Sequence, residues 1–569
     1  MRRTLLRLLT FVIPDRVARR IIPSTPRIVI YGHSGSKATH HLDTSNVLPV
    51  HRVSSCDNRT SYVPCLQLPD LPDLPLTMWA GRVTIDILPD DVLLHIFHLS
   101  RVTYFEGVNR MIDARINRIA ARESDVRLSH PPLEWRQLVH VCQRWRSVVF
   151  ASSNFLDLKL VCGPRTRVEL IDIWPPLPIV VRNMPDSSMP NHYDFDAAIV
   201  HHNRVCEINL YRLSSSQLLR LASVMQGQFP ALTHLMLDFR VSYHHPDPDP
   251  ALLEEFSAPR LQSLRLHSIP FPARPKLLLS AADLVDLTLV GIPQTGYFSP
   301  VALVTGLTVS ANLKSLTIGF KSPLSSPDRE SRLPPPTTRS VLPALTRFYF
   351  QGISEYLEDF VAQIDAPLLE SIWITFFNQL IFDIAQLAQF MGRATRFQAF
   401  SEAHVDFYSS CVQIGSWSRP SNDGSGLRIS STELDWQLSS LAQVLTSFFP
   451  FTYMLEHLYI DGPRPLPSQW LDDIEDVQWL EIFRPFTAVK NLHVCEKFAQ
   501  CIVFALNEFV VEGMTEVLPT LESLFLEQHR PSGPVQEAIG KFVASREILG
   551  HPVAVSHWNR TREAQLRRF

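Results

Sequence analysis

Leu232-Thr233-His234-Leu235-Met236-Leu237, Leu261-Gln262-Ser263-Leu264-Arg265-Leu266, Leu284-Val285-Asp286-Leu287-Thr288-Leu289 and Leu313-Lys314-Ser315-Leu316-Thr317-Ile318 write the same pattern four times: apolar, two positions, apolar, one position, apolar. Working outward, it is found before them as Val205-x-x-Ile208-x-Leu210. After them come Leu345-x-x-Phe348-x-Phe350, Leu369-x-x-Ile372-x-Ile374, Leu455-x-x-Leu458-x-Ile460, Val489-x-x-Leu492-x-Val494 and Leu521-x-x-Leu524-x-Leu526, with weaker units at Phe397 and Leu427. Successive starts lie about 23 to 34 residues apart, the length of a strand and a returning helix or loop. Alternate residues of a strand point to one side, so the last two apolar residues of each unit enter a core shared with the neighbouring units. One unit alone cannot bury them.

Repeats of this form, over roughly two thirds of the chain, resemble leucine-rich repeats. The family places Asn or Cys three positions after the last leucine of the unit, whereas here those positions hold Arg240, Ile269, Ile292, Lys321, Ile353 and Phe377. With the asparagine ladder missing, the expected fold is an irregular, variably curved α/β solenoid over residues 161–569. Pro-rich stretches near 241–250 and 321–340 are expected to protrude as loops.

The residue between the last two apolar positions of each unit should face away from the core. Those residues are Asn209, Met236, Arg265, Thr288, Thr317, Tyr349, Trp373, Arg428, Tyr459, His493 and Phe525. Tyr, Trp and Arg anchor protein interfaces, so Tyr349, Trp373, Arg428 and Tyr459 are the candidate contacts for a protein client.

Ahead of the repeats stand two amphipathic stretches. In Leu88-Pro89-Asp90-Asp91-Val92-Leu93-Leu94-His95-Ile96-Phe97, Leu88, Val92 and Ile96 recur one helical turn apart with Leu93 and Phe97 beside them. Pro89 suits a first turn, and the aspartates suit the positive end of the helix dipole. The second stretch, Leu133-x-Trp135-x-x-Leu138-x-x-Val141-Cys142-x-x-Trp145-Arg146-x-Val148-Val149, predicts one helix of roughly four turns. Between them, about 101–132, a helical insertion carries Arg110, Arg118 and Arg122 on one side.

The residues Leu-Pro-x-x-Val-Leu-x-x-Ile-Phe followed by Val141-Cys142-x-x-Trp145-Arg146 resemble an F-box of the kind found in mushroom-forming fungi, over about a tenth of the chain. The resemblance implies a small all-helical domain (81–160) that docks a Skp-type adaptor and, through it, a cullin-RING ubiquitin ligase. The residues carried over as adaptor contacts are Leu88, Pro89, Val92, Leu93, Ile96, Phe97, Leu138, Val141, Cys142, Trp145, Arg146 and Val149. Where such domains close with Leu-Trp, this chain has Phe155-Leu156-Asp157.

Composition bounds the alternatives. A chain of 569 residues with 45% hydrophobic residues and a net charge of -3 has no global attraction for nucleic acid or anionic membranes. Its eight cysteines form no CxxC pairs, which argues against a zinc site or a disulfide framework. No apolar run reaches the roughly 20 residues of a membrane helix, so an intracellular soluble protein of cytoplasm or nucleus is expected. The basic, apolar start at Met1–Ile13 is read as part of a poorly ordered tail ahead of a Leu-Pro-Asp spacer at residues 68–75, with a targeting segment the alternative. Gly32-His33-Ser34-Gly35-Ser36-Lys37 approaches a phosphate loop and a nucleophile elbow but completes neither. The expectation is therefore a non-catalytic substrate receptor without cofactor or metal, with a non-ubiquitin scaffold as the alternative and a hydrolase or nucleotide-binding enzyme built on Gly32–Lys37 a remote one.

Overall fold

The computed structural model describes residues 88–98 and 138–163, and 171–558 apart from 172–173, 184–194, 241–248, 272–275, 323–337, 380, 383, 396–400, 417–424, 432, 449–453, 463–475, 512–516 and 528–532. Residues 1–80, the insertion at 101–132 and most of the two Pro-rich loops lie outside them. The chain divides into two compact units, Met1–Leu158 and Lys159–Phe569.

In the second unit the strands are β1 Leu160–Cys162, β2 Ile179–Arg182, β3 Val205–Leu213, β4 His234–Phe239, β5 Ser263–His267, β6 Asp286–Ile292, β7 Ser315–Phe320, β8 Ser340–Val341, β9 Arg347–Gly352, β10 Ile364–Asp365, β11 Ser371–Phe376, β12 Glu402–Tyr408, β13 Cys411–Ser416, β14 Ser425–Ser430, β15 His457–Asp461, β16 Asn491–Val494, β17 Ser523–Leu526 and β18 Ala554–His557. Sixteen of them form one sheet in the order β1-β2-β3-β4-β5-β6-β7-β9-β11-β14-β13-β12-β15-β16-β17-β18, while β8 and β10 pair separately. The sheet is parallel except around β13, and most strands are followed by a helix, giving the mixed α/β array that the repeats predict.

Most repeats enter their strands in the same way, although Val205 reaches four residues back, to His201. The N–H of the first apolar residue donates to the carbonyl three residues back, as in Leu232 to Phe229, Leu261 to Ala258, Leu345 to Leu342, Leu369 to Ala366 and Leu521 to Leu518. Pro230, Pro259, Pro343, Pro367 and Pro519 occupy the second position of these turns, where a fixed φ is pre-set and no N–H is needed. This accounts for part of the excess of 44 prolines over 20 glycines. The turn buries the first leucine and releases the chain into the ladder with the next two facing the core: Leu232, Leu235 and Leu237 are at most 1% exposed.

Helices pack on this leucine face. Phe348 and Phe350 on β9 meet Phe360 and Tyr356 of the helix Ser354–Val361 at ring distances of 5.7 and 6.0 Å. Successive helices are tied by capping across repeats: Ile384, at the N-cap of the helix Ala385–Arg393, makes no side-chain cap. Buried Glu358 of the preceding helix instead accepts from the N–H groups of Gln386 and Leu387, both at 2.7 Å. Without it these two donors would be orphaned at the helix start.

The missing asparagine ladder has a physical explanation. Beyond the leucines the backbone keeps pairing with the previous strand, through Arg240 N–H to Leu213, Lys321 to Ile292 and Phe377 to Gly352. No side chain is required there. Asn183, just past β2, is a case where a side chain does serve, donating to Tyr211 O and accepting from Tyr211 N–H at 2.7 Å each.

One region departs from the repeat order. After β11 the chain crosses to β12, returns antiparallel in β13 and only then lays β14 beside β11. The weak unit expected at Phe397 lies outside the described residues; the strand there is β12, with Ala403, Val405 and Phe407 buried.

Candidate functional site

Two surfaces were expected to bind partners. In the first unit, residues 90–98 are helical and the Leu93 N–H closes the first turn on Pro89 O at 3.1 Å. The second stretch is not one continuous helix. Cys142 is extended (φ -156, ψ 169), and its Sγ accepts from Trp145 N–H to start a new helix, Gln143–Ala151. Arg146 Nε donates to Val139 O at 3.0 Å, supplying a partner to a carbonyl at the break. The two helices meet through Phe97 and Trp145, whose rings are 4.8 Å apart, and Arg144 reaches Asp90 Oδ1 at 2.6 Å.

The residues carried over as adaptor contacts therefore fall into groups. Leu93, Phe97, Trp145 and Val149 are buried; Leu88, Ile96, Leu138, Val141 and Cys142 are half-buried; Pro89, Val92 and Arg146 are exposed. Phe155, in the segment that departs from the F-box pattern, is 51% exposed and lies against His98 and His95 at 5.2 and 6.1 Å. Leu156 beside it is buried.

In the second unit the sheet face opposite the helices carries one continuous row of cross-strand neighbours: Asn209, Met236, Arg265, Thr288, Thr317, Tyr349, Trp373, Gly426, Gly415, His404, Tyr459, His493 and Phe525. Tyr349 and Trp373 are direct partners and both half-buried, with Tyr349 Oη 3.5 Å from Thr375 Oγ1. Trp373 packs against Gly426, where a Cβ would stand 2.6 Å from its Cζ3.

Arg428 is not in this row. The hairpin through β13 resets the register, so Gly426 faces Trp373 and Arg428 lies one rung further on, beside Thr375 and Gln413. It is exposed, and its Nε donates to Cys411 Sγ at 3.0 Å.

Tyr459 is in the row but offers little surface, being 5% exposed. It is stacked between His404 (4.4 Å, 5°) and His493 (4.2 Å, 19°), and Phe525 continues the stack beyond His493 at 4.4 Å. Trp558 lies against Tyr459 and His493 at 5.8 and 5.4 Å. Sequence reasoning missed His404 and Trp558 because one sits on a strand outside the repeat frame and the other follows the last strand. Of the expected client contacts, Tyr349, Trp373 and Arg428 remain together as accessible groups.

Toward the other end of the same face lies a cluster of titratable groups. Burial raises the Asp238 carboxyl, against the opposing backbone hydrogen bond from Arg212 N–H, and burial lowers the His267 and His234 imidazoles. Elsewhere burial pushes the Cys495 thiol up to about 11, leaving it protonated and unreactive at neutral pH. Among the described residues no group of three or more His, Cys, Asp or Glu could hold a metal ion, and no helix is long and apolar enough to cross a membrane. Gly32–Lys37 lies outside the described residues.

No family model matches this chain, and no curated protein does. Among solved structures the chain is similar to the leucine-rich repeat-containing protein LegL7 from Legionella pneumophila, at 12% identity and a TM-score of 0.24, covering 68% of this chain and 97% of that one.

Proposed function

We propose that this protein is a substrate receptor of a Skp–cullin–RING ubiquitin ligase: the helical first unit docks a Skp-type adaptor, the repeats hold a protein client, and partner subunits carry out ubiquitin transfer. The observation that carries it is the pairing of two elements in one chain. A two-helix unit leaves Pro89, Val92 and Phe155 exposed, and a long sheet face presents Tyr349, Trp373 and Arg428. Half-buried aromatic side chains beside an exposed arginine favour protein contact over plain solvation. The chain itself is non-catalytic in this reading.

Co-expression with a Skp-type adaptor tests it. Wild type is expected to co-purify with the adaptor, and Leu88→Ala/Pro89→Ala to lose it while staying folded. Absence of a complex with wild type would remove the reading. Adaptor binding without cullin or a ubiquitinated client would favour a scaffold that uses adaptor docking for assembly.

A further inference from the structure

We infer that the sheet face around Trp373 and Arg428 receives an extended peptide bearing an anionic side chain two residues away from an apolar one. The inference rests on the receptor reading and names the chemical class of its client segment.

Arg428 supplies the anion-binding half. Its Nε donates to Cys411 Sγ at 3.0 Å, its one hydrogen bond among the described residues, and Cys411 is itself 1% exposed. A buried neighbour thus fixes one edge of the guanidinium, and the Nη hydrogens are left to a ligand. In the same rung the next strand contributes Gln413, and the carboxylate of that rung, Asp406, stands two strands away, roughly 10 Å along the backbone by ordinary strand spacing. No carboxylate of the chain pairs with Arg428 among the described residues. An exposed, oriented guanidinium favours carboxylate or phosphoryl oxygens, with charge-assisted bonds about twice as strong as neutral ones.

Trp373 supplies the apolar half. Gly426 and Gly415 place no side chain in its row on the next two strands, and a Cβ at either position would stand 2.6 or 3.8 Å from the indole Cζ3. The ring is therefore seated on backbone, with Tyr349 as its direct neighbour on the other side. It stays half-buried rather than covered.

The spacing joins the two halves. Trp373 pairs with Gly426, so Arg428 is its diagonal neighbour on the same face, about 7 to 8 Å away by sheet geometry. Same-side residues of an extended peptide recur at about 6.5 to 7 Å, two residues of strand rise. One extended segment thus reaches both side chains at once. A nucleic acid strand also combines stacking with anionic groups, but it needs a run of cations to track successive phosphates. Here Trp373 has Arg428 on one diagonal and Arg347 on the other, the latter 3.9 Å from Asp286, which is two cations rather than a run, and the formal charge of the chain is -3.

The experiment uses the full chain with an array of short synthetic peptides carrying an apolar residue, a spacer and a test residue, which is Glu, phosphoserine, Gln or Lys. The apolar position is Trp, Leu or Ala. Wild type is expected to bind the Glu or phosphoserine peptides about tenfold or more tightly than the Gln peptides. Comparison of the two anionic sets tells carboxylate from phosphate recognition. Arg428→Gln should erase the preference for the anion, and Arg428→Lys should keep part of it. Trp373→Ala should erase the preference for Trp or Leu over Ala, with Trp373→Phe as the variant to use if the alanine form does not fold. No preference for an anion in wild type, a preference that survives in Arg428→Gln, or binding of single-stranded RNA in place of all peptides would overturn the inference. Adaptor co-purification on the same preparations keeps the two readings apart: its loss with peptide preference intact removes only the receptor reading, and the reverse removes only this one.

Discussion

The indole of Trp373 rests against the backbone of Gly426 on the neighbouring strand, so closely that a methyl group on Gly426 would stand 2.6 Å from Cζ3 and 3.0 Å from the Ile414 carbonyl oxygen. Gly426→Ala should therefore force the ring off its seat or shift the strand, at a cost of about 1 to 3 kcal/mol. Gly415→Ala has a milder contact with the ring, at 3.8 Å, and a tighter one with Ser425 O, at 3.1 Å. Urea unfolding of the two variants, read beside tryptophan fluorescence, should show the larger change of tryptophan environment for Gly426→Ala. Equal and negligible changes would mean that Trp373 is not held as described.

The array also depends on a side chain that no repeat pattern marks. Glu358, 4% exposed, satisfies two backbone N–H groups at the start of the next helix. Glu358→Ala leaves the buried Leu387 donor and the half-buried Gln386 donor without this acceptor, a buried donor being worth about 1 to 3 kcal/mol. Equilibrium unfolding should show a loss of at least the lower of these figures, with hydrogen exchange fastest at Gln386 and Leu387. Glu358→Gln retains one carbonyl acceptor and should fall between wild type and alanine.

The strands carrying Leu232, Leu261, Leu284 and Leu313 were legible because the same local rule is obeyed in each: a proline- or alanine-fed turn, a buried leucine, then two more on alternate positions. The region from β12 to β14 was not legible, because a strand reversal in space leaves no mark in a one-dimensional period. That one reversal explains why Arg428 was placed a rung away from where it lies, and why Gly426 went unnoticed. Burial of Tyr459 was hidden for a related reason: of its covering rings, His404 comes from a strand the pattern did not index and Trp558 follows the last strand. In the first unit the apolar stripe marked both helices, but the extended Cys142 that divides the second stretch looked like one more position of a helical period.

Stability should depend on pH through Asp238 and His267, both half-buried, and His234 at the exposed start of β4. His234 and His267 are both held below the ordinary imidazole value of 6.5, mainly by burial. The unfolded chain thus binds protons more readily, and stability should fall as pH drops through the region just below 6.5. Asp238 has the opposite sign. Burial raises its carboxyl above 3.8, so stability should fall as pH rises from there to the raised value. Urea titrations at a series of pH values should give a gentler acid slope for His234→Gln/His267→Gln. Asp238→Asn should remove the opposing slope while an amide oxygen still accepts the Arg212 N–H, which matters because Arg212 is held at φ 53. An unchanged pH profile in both variants would rule out this assignment.

In the first unit, residues that hold the fold are separable from residues that can meet a partner. Phe97 and Trp145 are 2% and 4% exposed with their rings in contact, so alanine at either should cost about 3 to 5 kcal/mol and abolish adaptor binding by unfolding the unit. Val92 and Phe155 are 38% and 51% exposed, and removing them opens no cavity of that kind. Val92→Ala and Phe155→Ala should leave the unfolding transition within about 0.5 kcal/mol of wild type, the ordinary range for surface changes. If these two side chains form part of the adaptor surface, affinity should fall in both variants at unchanged stability. Phe155 is the sharper test, since it occupies the segment where the F-box pattern breaks and lies against the rings of His95 and His98. Calorimetric titration against a Skp-type adaptor with normal affinity for Phe155→Ala would place the docking surface on the Pro89 and Val92 side of the unit instead.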